Sequence, residues 1–146
     1  MIEFDVELNS IPIDDGVGKD ITVNWKMYNG FEARKTFWTD SNSLEMQKRE
    51  ILDLPTGRKL VDSKPGVNYM TIARNFFPID SAISMRDANN TDLQVTIMND
   101  RAQGGSADLT EDASVEIMQH RRTLSDDEKG VNQPLNETSR DDELGI

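Results

Sequence analysis

The sequence predicts an all-β fold, an antiparallel β-sandwich, and two kinds of observation support it. Apolar and polar residues alternate along residues 2–8 and 21–27. Residues 82–86 and 93–98 are two further β-prone runs, joined by the polar, turn-rich residues 87–92. Alternate side chains of a strand face opposite sides of a sheet, so short runs of this kind between turn signals are typical of a sandwich.

The N-terminal third contains two predicted strands. The first covers residues 2–8, where four apolar residues alternate with three acidic ones. Residues 11–19 are rich in Pro, Asp and Gly and predict a turn. The second strand, residues 21–27, places Trp25 on its apolar face. Residues 29–30 are Asn-Gly, a pair that tolerates positive φ and predicts another turn.

The rest of the chain adds short elements. Residues 37–39 form a β-prone run, whereas the propensities of residues 43–52 favour a helix and leave a strand possible. Residues 53–67 predict an irregular connection, because they contain two prolines and two glycines. The Gly pair at 104–105 predicts a sharp turn, and a last strand is expected around Val115.

The amino-acid composition limits the classes of partner that this chain can bind. The 146 residues are 36% hydrophobic, which suits one domain with a modest core. A net charge of −11 opposes binding to nucleic acid and anionic membranes. No run approaches the ~20 apolar residues of a membrane span. Residues 1–5 lack the basic and apolar regions of a signal peptide, and the absence of cysteine excludes disulfides and thiolate metal sites.

Residue types with catalytic potential are few. His120 is the only histidine, and it cannot supply the three protein ligands of a typical catalytic zinc site. Adjacent acids occur at 14–15, 126–127 and 141–142. Glycoside hydrolysis uses two carboxylates, but adjacent acids are more often solvated turn residues. We therefore predict no metal site and no catalytic residue in this chain.

Two arginines, Arg121 and Arg122, interrupt the acidic chain shortly before Asp126 and Asp127. Arginine offers planar, paired donors to carboxylates or to sugar hydroxyls. The cluster therefore indicates either a substrate contact or a structural network of arginine and aspartate.

Two N-x-S/T triplets begin at Asn89 and Asn136. Both lie in polar segments that predict loops, where a glycan could be accommodated. We treat both asparagines as candidates for N-glycosylation.

Several segments match motifs of a known family. Residues 37–49 read FWTDSNSLEMQKR, and residues 100–106 read DRAQGGS. Residues 120–131 read HRRTLSDDEKGV, and PLNE follows at 134–137. Shorter matches are DDGVGK and NFFPIDS, which start at Asp14 and Asn75. Together these segments, in this order, resemble the lysosomal-type α-mannosidases of glycoside hydrolase family 38. Ser43 and Ala107 depart from the family pattern, which has glycine and serine there, and the segment after Pro55 matches poorly.

The resemblance implies part of a larger β-sandwich, downstream of a catalytic α/β domain. In that family the catalytic domain holds zinc through two His and two Asp, and an Asp is the nucleophile of a retaining mechanism. The chain would then be a scaffold without a cofactor of its own. Its partners would be the catalytic domain and mannosyl glycans, in the lysosome or secretory pathway. The resemblance also favours a strand for residues 43–52.

The resemblance further implies a sandwich domain at 1–123 and a loop facing the active site at 124–146. Arg121 or Arg122 would position substrate or neighbouring active-site groups, and Asp126 and Asp127 would orient that arginine. Low hydrophobicity and excess charge predict that the acidic C-terminal segment is flexible. Strand edges exposed by separation from the larger enzyme would favour a homodimer.

Two other functions stay open at this point. The chain could be a free-standing carbohydrate-binding module, with Trp25, Tyr28, Phe37 and Trp38 as an aromatic platform. Against this, the alternation of the second strand places Trp25 in the core. The chain could also be a purely structural β-domain without a ligand.

Overall fold

The computed structural model describes residues 1–51, 74–108, 113–126, 128–134 and 136. These residues form eight strands and no helix, which confirms the all-β prediction, and none of them belongs to a helix that could cross a membrane. The strands are β1 (Lys19–Lys26), β2 (Thr36–Ser41), β3 (Glu45–Glu50), β4 (Phe77–Ile79), β5 (Ala82–Arg86), β6 (Gln94–Met98), β7 (Gln103–Ala107) and β8 (Ser114–Arg122).

The strands form two four-stranded antiparallel sheets, in the orders β1-β8-β7-β4 and β3-β2-β5-β6. The expected hairpin of β5 and β6 is present, with Arg86 opposite Gln94. The ambiguous residues 43–52 contribute strand β3. A tight turn joins β3 to β2, with Asn42 and Ser43 both at positive φ, as a type I′ turn requires.

The chain divides into two compact units, Thr22–Met118 and a second one built from Met1–Ile21 with Gln119–Ile146. In the unit Thr22–Met118, residues from both sheets bury a common apolar core. The rings of Phe37 and Phe77 meet edge to face, 5.7 Å apart. Trp25 packs against this core, as the alternation of its strand predicts. The buried core residues are Phe31, Ala33, Phe37, Ile51, Ile79, Ile83, Met85, Ala107, Ala113, Val115 and Ile117.

Asp40 in β2 is a buried carboxylate of this unit that accepts four backbone N–H groups. It is 4% exposed, and its Oδ1 accepts the backbone N–H groups of Asp80, Ser81 and Ala82 at 2.9–3.1 Å. Its Oδ2 accepts the N–H of Ser43 at 2.8 Å. Burial by itself raises the pKa of Asp40, but the four amides outweigh it and lower the pKa from 3.8 to about 2. The ionised side chain thus ties two turns together.

The predicted strand at residues 2–8 is wrong, because the structure has no strand before Lys19. The apolar side chains of this segment are exposed, with Phe4 at 65% and Leu8 at 43%. Alternation sorts side chains onto two faces, but a strand also needs a neighbouring backbone to accept and donate its hydrogen bonds.

The sharp turn predicted at Gly104-Gly105 is also wrong, because both glycines lie within β7. A Cβ added to Gly105 would lie 3.0 Å from Cδ1 of Ile79, on the neighbouring strand. Glycine at this position leaves room for a side chain of the neighbouring strand, and no turn is involved.

Some predictions fall outside the described residues. These are the irregular connection at 53–67, Asp127, the acidic pair 141–142 and most of the C-terminal segment. The domain boundary expected after residue 123 and the flexible acidic tail stay predictions.

Candidate functional site

The candidate site begins at the C-terminal end of β8, where two consecutive arginines point to opposite sides. Successive side chains of a strand alternate between its faces, so a pair of arginines in a strand cannot share one environment. Arg122 is buried, with 7% of its surface exposed, whereas Arg121 is exposed. The two candidates are therefore chemically distinct.

Among the described residues, the acceptors that hold Arg122 are neutral. Its Nη1 donates to the backbone carbonyl of Ile11 at 2.6 Å, and its Nε donates to Oδ1 of Asn136 at 2.8 Å. The backbone at Gly18 also lies close to the backbone of Arg122, since a Cβ added to Gly18 would lie 3.3 Å from the Arg122 carbonyl oxygen. A buried guanidinium held in this way orients the chain segments around it.

Arg121 forms a fork with a carboxylate. Its Nε donates to Oδ1 of Asp20 at 2.6 Å, and its Nη2 donates to Oδ2 at 3.3 Å. Nearly half of each side chain is exposed, 44% for Arg121 and 47% for Asp20. The pair is therefore accessible to a ligand.

Asp126 stabilises the turn that follows it in the sequence. Its Oδ1 accepts the N–H of Glu128 at 2.9 Å, and Glu128 has a positive φ of 58°. Within the described part of the chain, the acceptors of the two arginines are Asp20, Ile11 and Asn136, and Asp126 is not among them. The structure thus brings Asn136 to Arg122, whereas Asp127 lies outside the described residues.

Sequence reasoning missed Asp20 and Ile11 as partners of the arginines. Asp20 is more than a hundred positions from Arg121 in the sequence, and Ile11 contributes a backbone carbonyl that any residue would offer. Only the adjacency of β1 and β8 in one sheet could have identified Asp20, and no local motif indicates that adjacency.

The acidic turn at residues 14–19 behaves as a structural element. Lys19 donates from Nζ to Oδ1 of Asp15 at 2.8 Å and to the carbonyl of Pro12 at 2.6 Å. The hydrogen bond from Lys19 holds the pKa of Asp15 below its ordinary value. Asp15 is exposed and also accepts the N–H of Val17, as a solvated turn residue does.

The described residues do not fit a catalytic zinc ion. They contain no group of three or more His, Cys, Asp or Glu side chains arranged to hold a metal.

The four aromatic residues considered for sugar binding do not share a surface. Phe37 is fully buried and Trp25 packs against the core, while Tyr28 is 74% exposed. Trp38 is half-buried, and the guanidinium of Arg86 lies 4.9 Å from its ring centroid. An aromatic platform built from all four is therefore excluded.

Comparison with known proteins tests the family resemblance that the sequence motifs indicate. Residues 1–129 match the model of the C-terminal domain of the glycosyl hydrolases family 38, and the chain belongs to this family. This confirms the resemblance found in the motifs.

Individual relatives are α-mannosidases. The chain is 37% identical over 135 residues to the lysosomal α-mannosidase of Bos taurus. It is 38% identical over 137 residues to a probable α-mannosidase of Arabidopsis thaliana and 35% identical over 136 residues to the lysosomal α-mannosidase of Homo sapiens. The matches cover 92–94% of this chain. They cover 12% of each relative, so the chain corresponds to a small part of those proteins.

Proposed function

We propose that the full-length protein is a zinc-dependent retaining α-mannosidase that releases terminal α-mannosides from glycans, and that these residues are part of its C-terminal β-scaffold. The observation that carries this proposal is the family match over residues 1–129, together with relatives that are named α-mannosidases. The zinc ligands and the nucleophile would belong to another part of the longer chain. The lysosomal relatives support a lysosomal or secretory location.

The proposed contribution of this chain to catalysis is positional. Arg121, Arg122, Asp126 and Asp127 would form the segment that approaches the substrate. The burial of Arg122 supports a role in holding the segment in place, and the exposure of Arg121 supports contact with substrate hydroxyls or with neighbouring groups. A reacting centre misplaced by ~1 Å can lose about 100-fold in rate, so such residues matter without doing chemistry.

The test uses the full-length enzyme. We expect Arg121→Ala to lower kcat/KM for an α-mannoside at least about 10-fold without lowering the melting temperature, because it removes a paired donor from a substrate-facing position. Arg122→Ala should lower both quantities. Arg101→Ala is the matched control, since Arg101 also forms an exposed fork with an aspartate, Asp100, in the connection between β6 and β7. If Arg121→Ala and Arg122→Ala both left kcat/KM unchanged, the positional role would be wrong.

The scaffold role has its own test. The isolated chain of 146 residues should not hydrolyse an α-mannoside, whereas the full-length enzyme should, and a chelator should abolish that activity. Chelator-sensitive hydrolysis by the isolated chain would contradict the assignment of the catalytic centre to the rest of the protein.

The exposed apolar residues of the N-terminal segment, residues 2–8, support a contact with another chain segment. In the full-length enzyme we propose that the catalytic part or its neighbouring β-structure covers them. In the isolated chain a second copy would take that place, and sedimentation should then detect a dimer. A monomer at high concentration would exclude the homodimer.

A further inference from the structure

The loop between β5 and β6 presents one of the two N-x-S/T triplets, Asn89-Asn90-Thr91, on a defined turn. Oδ1 of Asp87 accepts the N–H groups of Asn89 and Asn90 at 2.6 and 2.9 Å. The N–H of Asp87 donates to the carbonyl of Leu93, and the N–H of Leu93 donates to the carbonyl of Asn90, both at 2.9 Å. The aspartate thus closes the base of the loop, and the triplet lies at its tip.

The triplet is exposed in the folded chain, and the side chain of Asn89 accepts a hydrogen bond through its carbonyl oxygen. Asn89, Asn90 and Thr91 all lie on the surface. Nη2 of Arg34 donates to Oδ1 of Asn89 at 2.7 Å. A glycan is attached through Nδ2 of asparagine, and the carbonyl oxygen is retained. The folded loop can therefore keep the bond to Arg34 after modification.

The other triplet has different surroundings. Asn136 is half-buried, and its Oδ1 accepts a hydrogen bond from the buried side chain of Arg122. A bulky polar glycan at Asn136 would be attached beside that buried contact. N-glycans occupy surface loops, so Asn89 meets the structural requirement better.

We infer that Asn89 is an N-glycan acceptor when this chain passes through the secretory pathway, and this inference rests on the secretory location in the proposed function. Nδ2 of Asn89 would form a bond to C1 of the first sugar of an oligosaccharide carried on a lipid diphosphate. The bond between C1 and the diphosphate oxygen would break, the lipid diphosphate would leave with the electron pair, and Nδ2 would lose one proton. The threonine at position 91 completes the recognised triplet.

The experiment expresses the full-length protein in a eukaryotic host in two forms, one with its own N-terminal sequence and one with a fused secretory leader. The variants are Asn89→Gln, Thr91→Ala, Thr91→Ser and Asn136→Gln. The readout is the shift in mass after enzymatic removal of N-glycans, together with mass spectrometry of the peptide that contains residue 89.

Asn89→Gln and Thr91→Ala should each lose one glycan, whereas Thr91→Ser and Asn136→Gln should keep the glycan at residue 89. Thr91→Ala retains Asn89 and its bond to Arg34, so its loss of glycan cannot be attributed to a disturbed loop. An unmodified residue 89 in both expressed forms would overturn the inference.

The same samples separate this inference from the proposed function. A glycan that appears only with the fused leader supports Asn89 as acceptor and contradicts the proposed location. Mannosidase activity is measured in parallel, since Thr91→Ala should leave it unchanged. An active, secreted enzyme with an unmodified residue 89 would refute the inference and leave the proposed activity intact.

Discussion

Strand β1 and the segment of residues 2–8 share one sequence pattern but have different structures. In β1, apolar residues such as Val23 and Trp25 are half-buried and alternate with exposed polar ones. In residues 2–8 the apolar and the acidic residues are all exposed, and no strand forms. β1 lies beside β8 in a sheet. Alternation therefore decides which side chains share a face, and a neighbouring backbone decides whether that face becomes part of a strand.

The largest expected loss of stability is at a position of β1 whose side chain packs against the core. Trp25→Ala should lower the free energy of unfolding of the 146-residue chain by about 3 kcal/mol, because it removes a large ring that packs against the core. Chemical denaturation with a fixed slope measures this change. A loss below about 1 kcal/mol would mean that the half-buried face of β1 contributes little, and the contrast with residues 2–8 would fail.

The neighbouring arginines extend the comparison to polar side chains. Arg122→Ala should cost about 2–3 kcal/mol, because the Ile11 carbonyl and Asn136 Oδ1 lose their buried donor. Arg121→Ala should cost less than about 1 kcal/mol, since its ion pair with Asp20 is solvent-exposed. Equal losses for the two variants would show that burial does not distinguish them.

The contribution of Asp40 to the stability of the folded chain depends on pH. Its pKa is lowered from 3.8 to about 2 in the folded chain, so the folded state binds fewer protons than the unfolded state between these values. The stabilisation is therefore fully present above about pH 4 and is lost as the pH falls toward 2. It amounts to about 2 kcal/mol.

Denaturation of the Asp40→Asn variant tests this contribution. The variant should be less stable at neutral pH, because an amide nitrogen replaces one acceptor oxygen. It should also lose stability less steeply on acidification. An unchanged acid profile would show that other carboxylates dominate it.

The smallest expected effect on stability is at an exposed position. Phe4→Ala should change the free energy of unfolding by no more than about 0.5 kcal/mol, because Phe4 is 65% exposed. The same denaturation experiment provides the value. A loss above about 1 kcal/mol that grows with protein concentration in the isolated chain would show that a second copy covers residues 2–8, and a larger loss in the full-length enzyme would identify a covering segment there.

Local sequence signals correctly predicted the elements that neighbouring residues form by themselves, such as turns and hairpins. The Asn-Gly pair at 29–30 does form a turn, with both residues at positive φ. The hairpin of β5 and β6 follows from two β-prone runs and a polar connection. The ambiguity of residues 43–52 was settled by the resemblance to a family and not by propensity, since helix-favouring residues lie in strand β3. Tertiary pairing with β2 overrides that propensity.

By itself the sequence determined the all-β class, the acidic net charge and membership of the glycosyl hydrolases family 38, because these depend on residue types and their order. Only the tertiary structure decided that residues 2–8 lack a strand, that Gly105 accommodates Ile79, and that Arg122 is buried while Arg121 is exposed. Each of these outcomes depends on which distant part of the chain lies beside the residues concerned. A pattern of neighbouring residues specifies which face a side chain occupies, but it does not specify what lies against that face.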